Sequence, residues 1–364
     1  MACLLPIMRP KLPSAASLLP YLQKIDAARV YSNFGPLSLD LERRLGAHFG
    51  VAQHAITTAA NGTLALALAL LAQDVRPRSL CLMPAWTFVA TPQAAVLAGL
   101  VPYFVDVDRE TGTLAPEAIA DAIGRAPGEV GAVVAVAPFG LPVDAGAWDR
   151  FRATTGIPVV IDAASGFDTA VATATPTVVS LHATKVLGVG EGSLVICENA
   201  ELIVRIRMAQ NFGFHGRREA QVPALNAKMS EYHAAVGHAA LDEWPTARAD
   251  WMRLAGRYRH ALADSTTARL QNGFGESWVS SVCVLDLNGP DPEYLEQRMA
   301  TAGIETRRWW GSGAHTHQSM KAWPRTAVPA TETLSSSTLA MPMFRDMAPA
   351  DVDRVVDRLL VAGV

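Results

Sequence analysis

Short apolar runs alternate with helical segments between about residues 38 and 240, and this alternation most constrains the fold. Several runs are almost continuously apolar, which is typical of strands covered by helices on both faces of a parallel sheet. Alternating strands and helices predict an α/β architecture with a mostly parallel sheet. The predicted strands span residues 79–83, 101–107, 131–137, 158–161, 177–181 and 194–197.

The helical segments include residues 63–71, rich in Ala and Leu, and 231–242, for which Ser230 is a suitable N-cap. With 364 residues, the chain exceeds the size at which single hydrophobic cores stop growing. We therefore expect a large domain over 1–242 and a smaller C-terminal α+β domain over 243–364. The predicted elements of the smaller domain are a helix over 244–264, a strand over 279–287 and a helix over 349–362.

The charges of the chain are almost balanced, with 31 basic and 34 acidic residues and a formal net charge of −3. This composition lacks the basic excess typical of proteins that bind nucleic acid or anionic membranes. No apolar run reaches the length of a membrane span, and residues 1–6 lack the charged and apolar regions of a signal peptide. We expect a cytoplasmic protein.

The cysteines are widely separated and form neither a CxxC pair nor a Cys/His cluster with metal-ligand spacing. This pattern indicates free thiols in a reducing compartment, and it predicts no metal site. The four positions are Cys3, Cys81, Cys197 and Cys283.

Three separated segments carry the polar residues that most suggest chemistry. Asp162 ends an apolar strand, and ligands of open α/β sheets bind outside the carboxyl ends of strands. Lys185 follows another predicted strand and precedes the Gly-rich stretch 188–192. Gly62 and Thr63 open an Ala-rich helix, whose first N–H groups suit a phosphate. Taken singly, the aspartate is about as often a structural turn cap, and the lysine and the Gly-Thr start are more often a solvated lysine and a helix cap.

Pyridoxal phosphate (PLP) requires all three kinds of group. Its aldehyde needs a lysine amine that is partly deprotonated near neutral pH, which burial and a cationic ring promote. Its pyridine nitrogen must stay protonated for the ring to withdraw electrons, so a buried carboxylate has to pair with it. Lys185 and Asp162 fit these two requirements. We infer a PLP enzyme, with Lys185 carrying the cofactor as a Schiff base.

The chain also resembles a known family over nearly its whole length. The matching segments are Ser32-Asn33-Phe34-Gly35-Pro36-Leu37, Asn61-Gly62-Thr63-Leu64-Ala65-Leu66, Pro84-Ala85-Trp86-Thr87-Phe88-Val89-Ala90-Thr91, Pro102-Tyr103-Phe104-Val105-Asp106-Val107-Asp108, Ser180 to Lys185 with Gly190-Glu191-Gly192, Asn211-Phe212-Gly213-Phe214, Asn226-Ala227-Lys228-Met229-Ser230-Glu231 and Ala340-Met341-Pro342-Met343-Phe344. In this order they resemble the DegT/DnrJ/EryC1/StrS family of PLP-dependent, mostly nucleotide-sugar aminotransferases. The resemblance implies the PLP-dependent transferase type I fold, also called aspartate aminotransferase-like.

The same resemblance implies roles for residues around the cofactor ring. Lys185 would form the Schiff base, Asp162 would contact the ring nitrogen and Phe88 would stack on the ring. Ser165 stands where the family usually has His or Gln, which contacts the phenolic oxygen of the cofactor. The short hydroxyl of Ser165 would reach that oxygen only through a water.

Further residues are implied to hold the cofactor phosphate. Gly62 and Thr63 would bind it through backbone and hydroxyl groups, and Ser180 would add a hydrogen bond. Asn226 would reach it from the partner subunit. The resemblance therefore implies a homodimer with active sites at the interface.

By family habit, the amino donor is L-glutamate and the acceptor is a nucleotide-linked keto-deoxy sugar, in a ping-pong mechanism through Lys185. Arg307, Trp309 and His315 lie in a stretch with two Arg and two Trp residues, which suits a phosphate and a sugar or base. An edge strand whose Trp side chains pack between the domains is an equal alternative. His215 lies beside two arginines in a basic loop, for which a solvated surface is the favoured interpretation.

Two other functions remain open from the sequence. Some members of the family are PLP-dependent sugar dehydratases, but those closest to this chain carry His in place of the Schiff-base lysine. The presence of Lys185 therefore favours transamination. A non-catalytic regulatory member is the second alternative, and the intact set of Lys185, Asp162, Ser180 and Asn226 argues against it.

Overall fold

A computed structural model describes residues 4–361. The strands are β1 (Ile56–Ala59), β2 (Leu80–Pro84), β3 (Val101–Val105), β4 (Val130–Val136), β5 (Val159–Asp162), β6 (Thr177–Ser180), β7 (Ser193–Ile196), β8 (Ala268–Leu270), β9 (Cys283–Leu287) and β10 (Thr338–Met341). The α-helices are α1 (Ala15–Ala28), α2 (Pro36–His48), α3 (Gly62–Leu71), α4 (Ala90–Leu97), α5 (Pro116–Gly124), α6 (Ala145–Thr155), α7 (Ala200–Ala209), α8 (Glu231–Ala261), α9 (Pro292–Thr301), α10 (Pro329–Ser337) and α11 (Pro349–Val361).

Within residues 4–361, seven strands form the main sheet in the order β1-β7-β6-β5-β4-β2-β3. Strands β3, β2, β4, β5 and β6 run parallel, and β7 is antiparallel to both of its neighbours. The sheet is buried on both faces. Val159 and Ile161 of β5 pack in the same core as Trp148 of α6, whereas Val160 packs in the core that contains Leu66 of α3. The predicted α/β class with a mostly parallel sheet is confirmed.

All six strands predicted in the main sheet are present, and their ends differ from the prediction by at most two residues. Strand β1 was not predicted, because two of its four residues are threonines. Their hydroxyl groups are nevertheless satisfied inside the core, since Thr57 and Thr58 donate to the buried carboxylate of Glu42 over 3.2 and 3.1 Å. Glu42 is paired in turn with Arg207.

The separate helices predicted over 231–242 and 244–264 were wrong, because α8 runs without a break through Pro245. Packing against α1, α2 and α11 holds this long helix together despite the proline. The domain boundary expected at residue 242 thus lies inside a helix, and the division into two domains stays a prediction.

The C-terminal part contains a smaller antiparallel sheet in the order β10-β9-β8. Strand β9 is shorter than the predicted 279–287, because the N–H of Val279 donates to Asp168 over 3.1 Å instead of joining a strand. The closing helix α11 was predicted to end at Ala362, which lies outside the described residues.

The other sequence predictions concern cysteines, membrane-spanning helices and metal sites. Cys81, Cys197 and Cys283 are buried free thiols, and Cys3 lies outside the described residues. Among residues 4–361, no helix has the length and apolar character needed to cross a bilayer. Within the same residues, no three His, Cys, Asp or Glu side chains are grouped so as to hold a metal ion.

The carboxylate of Glu231 fixes the start of α2 against α8. It is 1% exposed and accepts the N–H groups of Leu37 and Ser38 over 2.7 and 2.8 Å. We expect Glu231→Ala to lower the free energy of unfolding by about 2–3 kcal/mol, because two buried donors lose a charged acceptor. Urea unfolding at a fixed protein concentration measures this loss. Glu117→Ala, at the exposed first turn of α5, is the matched control, and equal losses in both variants would contradict the prediction.

Candidate active site

The side chain of Lys185 lies in the loop that follows β6. Its Nζ donates a hydrogen bond to the Oγ of Ser165 over 2.8 Å. Burial lowers the pKa of the amine from its ordinary value, and the nearby Asp162 carboxylate opposes part of this change. A larger fraction of the amine is therefore neutral near pH 7 than in an exposed lysine, which makes it a better nucleophile and base.

Asp162 is the last residue of β5 and is 6% exposed. One carboxylate oxygen accepts the hydroxyl of Thr91 over 2.8 Å, and the other accepts the N–H of Ala164 over 3.1 Å. Burial raises the pKa of Asp162, while these two hydrogen bonds and the positive charge of Lys185 oppose the rise. A carboxylate has about four lone-pair positions, so it can still accept a protonated ring nitrogen.

The start of α3 lies against the end of β6. A Cβ atom on Gly62 would come within 3.4 Å of the Cβ of Ser180 and 3.6 Å of its Oγ. The side chain of Asn61 caps the helix by accepting the N–H of Leu64, so it does not cover the first helical N–H groups, those of Gly62 and Thr63. N–H groups at a helix start, together with a serine hydroxyl, fit the phosphate of PLP.

Phe88 follows β2, and its ring is 55% exposed. Because β2, β5 and β6 belong to the parallel part of the sheet, their carboxyl ends meet at one edge. Phe88, Asp162 and Ser180 therefore lie along the same edge. An exposed aromatic ring in this position can cover one face of a planar ligand.

Two positions singled out in the sequence have contacts that leave their expected roles untested. Ser165 accepts a hydrogen bond from Lys185, and its contact with a cofactor stays a prediction. Asn226 is exposed, and its side-chain oxygen accepts from Lys228 over 2.8 Å. Its expected reach into a partner subunit stays a prediction.

The four candidate substrate residues contact other groups. His215 is exposed in the loop between α7 and α8, and the guanidinium of Arg307 lies 4.8 Å from the centre of the Trp309 ring. His315 is 6% exposed and lies beside Phe104, with ring centres 6.2 Å apart. The structure brings together Lys185, Ser165 and Asp162. The contacts described for the four candidate substrate residues do not include any of these three, and their substrate roles stay predictions.

Sequence reasoning missed Thr91, which donates directly to Asp162. The hydroxyl groups of Thr91 and Thr87 are also 2.8 Å apart, and both residues are buried. One signal was available in the sequence. Two threonines lie four residues apart in the segment that leads from an apolar strand into a helix, beside the expected ring-stacking Phe88.

Comparison with known proteins identifies the family of this chain. A sequence model of the DegT/DnrJ/EryC1/StrS aminotransferase family matches residues 15–360. The chain belongs to this family. Among similar proteins, the Mycobacterium tuberculosis protein Rv3402c is 30% identical over 378 residues, which cover 99% of this chain and 90% of that protein. The dTDP-4-amino-4,6-dideoxy-D-glucose transaminase of Shigella dysenteriae is 32% identical over 266 residues, 71% of each protein.

Two solved structures share this fold over nearly the whole chain. A Bacillus cereus protein assigned as a PLP-dependent aminotransferase superposes with a TM-score of 0.90 at 28% identity, covering 98% of this chain and 99% of that one. DesI, crystallised in the presence of its TDP-sugar product, gives 0.89 at 28% identity and covers 100% and 94%. These findings confirm the expected PLP-dependent aminotransferase fold, the enzyme class and the cofactor.

Proposed function

We propose that this aminotransferase moves an amino group from L-glutamate to a nucleotide-linked keto-deoxy sugar in two half-reactions through Lys185. The observation that carries the proposal is the Lys185 amine, whose pKa is lowered by burial, so that a larger fraction is neutral near pH 7 and able to accept a proton than in an exposed lysine. The amine lies beside Asp162 at the edge of the sheet where the expected cofactor groups meet. The sugar acceptor is supported by the names of the Shigella relative and of the DesI structure.

When bound, PLP supplies an aldehyde that accepts amines and a ring that withdraws electrons from the reacting carbon. The residues of this chain would do the rest. Lys185 takes a proton from the substrate carbon and returns it to a neighbouring position, acting first as a general base and then as a general acid. Asp162 would pair with the ring nitrogen, Phe88 would cover the ring, and the start of α3 with Ser180 would hold the phosphate.

The proposal includes a homodimer. Asn226 is exposed in a single chain. It lies in the segment between α7 and α8, where Phe212 is also 48% exposed. In a dimer this segment would be covered, and Asn226 would complete the phosphate site of the partner subunit.

The first half-reaction has a direct spectroscopic test. With PLP bound to the full-length protein, we expect absorption at ~410–430 nm that moves to about 330 nm on addition of L-glutamate, as is general for this cofactor. D-glutamate is the matched control and should leave the spectrum unchanged, because the amine and the two carboxylates of the donor must meet a chiral site.

The second half-reaction tests the acceptor. The 4-keto-6-deoxy sugar that corresponds to the product of the Shigella relative should restore the ~410–430 nm band and yield an amino sugar by mass spectrometry. If L-glutamate leaves the band unchanged while the keto sugar loses a hydroxyl group, the dehydratase alternative replaces transamination. A protein that binds no PLP would support the regulatory alternative.

A further inference from the structure

Two buried hydroxyl groups form a chain of hydrogen bonds that ends at the Asp162 carboxylate. Thr91 is 1% exposed and Thr87 is 2% exposed. The Thr91 Oγ1 lies 2.8 Å from Asp162 Oδ2, and the Thr87 Oγ1 lies 2.8 Å from the Thr91 Oγ1. Thr87 lies between β2 and α4, and Thr91 lies in the first turn of α4, 71 residues from Asp162 in sequence.

The chemistry of the three groups fixes the direction of these hydrogen bonds. An ionised carboxylate only accepts, so the proton of Thr91 points to Asp162. The oxygen of Thr91 is then free to accept, and the proton of Thr87 points to Thr91. Hydrogen bonds arranged in such a chain polarise one another, which strengthens the donation to the carboxylate.

Backbone contacts fix the position of Thr91. Thr91 is the second residue of α4, at the positive end of the helix dipole, and its N–H donates to the carbonyl of Phe88 over 3.1 Å. The turn that presents Phe88 to the ring site therefore also positions the Thr91 hydroxyl. The charged group that acts on Asp162 from another segment is Lys185, whereas α4 and the turn after β5 contribute neutral donors.

We propose that Thr91, supported by Thr87, is a positioning residue that orients the Asp162 carboxylate and opposes its protonation in the buried site. This role rests on the proposed contact of Asp162 with the ring nitrogen. A protonated Asp162 cannot hold a positive charge on that nitrogen. The neutral hydroxyl pair therefore keeps a buried acid ionised without placing a second cation beside the ring.

The test is an infrared titration of the full-length chain without cofactor. It follows the C=O stretch of protonated Asp162, identified as the band absent from Asp162→Asn. We expect Thr91→Val to shift the midpoint upward by about one pH unit, because a donor to the charged form is lost. Thr91→Ser keeps the donor and should restore the wild-type midpoint. Thr87→Val should shift it in the same direction by a smaller amount.

Thr177→Val is the matched control. Thr177 begins β6 next to β5 and is 2% exposed, and within the described residues its hydroxyl has no hydrogen-bond partner. Removing this hydroxyl should leave the Asp162 midpoint unchanged. With PLP and L-glutamate, Thr91→Val should lower kcat about tenfold while KM changes less, whereas Thr177→Val retains both.

An unchanged Asp162 midpoint in Thr91→Val would overturn the proposal, as would an equal shift in Thr177→Val. If Thr91→Val does not fold, Thr87→Val decides, and an unchanged midpoint there has the same meaning. The infrared titration needs neither cofactor nor amino donor. A wrong donor or acceptor in the proposed function would therefore leave its result intact.

Discussion

Lys185→Ala is expected to lose both the ~410–430 nm band of the PLP-loaded protein and at least about 10³-fold in turnover. The variant removes the amine that binds the aldehyde and the base that moves the proton. In the structure this amine is held by Ser165 and has a lowered pKa. Absorption spectra and single-turnover rates with L-glutamate measure the two losses.

Two comparisons make the Lys185 result specific. Lys321→Ala removes an exposed lysine and should keep the spectrum and the rate of the wild type. A small primary amine added to Lys185→Ala should recover part of the proton-transfer rate, since it replaces the missing base. A variant that kept the band and the turnover would show that a different lysine carries the cofactor.

Asp162→Asn should reduce turnover by about 10²–10³-fold while the protein still binds PLP, because the variant loses charge stabilisation but keeps Lys185 and the phosphate groups. The amide oxygen of Asn can accept from Thr91 or Ala164, as Asp162 does over 2.8 and 3.1 Å. It carries no charge to stabilise a protonated ring nitrogen. Stopped-flow measurement of the L-glutamate half-reaction separates this loss from cofactor binding.

A cofactor analogue with a methylated, permanently charged ring nitrogen provides the control for Asp162. It should recover part of the rate of Asp162→Asn, because the charge no longer depends on a carboxylate. Asp149→Asn changes another carboxylate, which accepts from Thr175 over 2.8 Å, and should leave turnover unchanged. If Asp162→Asn reacted as fast as wild type, the carboxylate would have no role at the ring.

Local sequence patterns account for much of the fold. Apolar runs such as 158–161 predict strands because a segment that is apolar on both faces must be covered on both sides. The same patterns failed where distant contacts satisfied a polar residue or held a helix together around a proline. Thr57 and Thr58 lie in a buried strand because Glu42 accepts from both hydroxyl groups. Helix α8 continues through Pro245 because other helices pack along it.

The sequence by itself determined the family of this protein and predicted the residues of its candidate site. An aspartate that ends a strand, a lysine in the loop after another strand and a Gly-Thr helix start are the groups that PLP requires, and the matching segments in order along the chain indicated the family. Only the tertiary structure decided which groups touch. It placed Ser165 on Lys185, 20 residues away, and Thr91 on Asp162, 71 residues away. Such contacts depend on strand order and helix packing, which arise from the whole core and leave no periodic signal in one sequence.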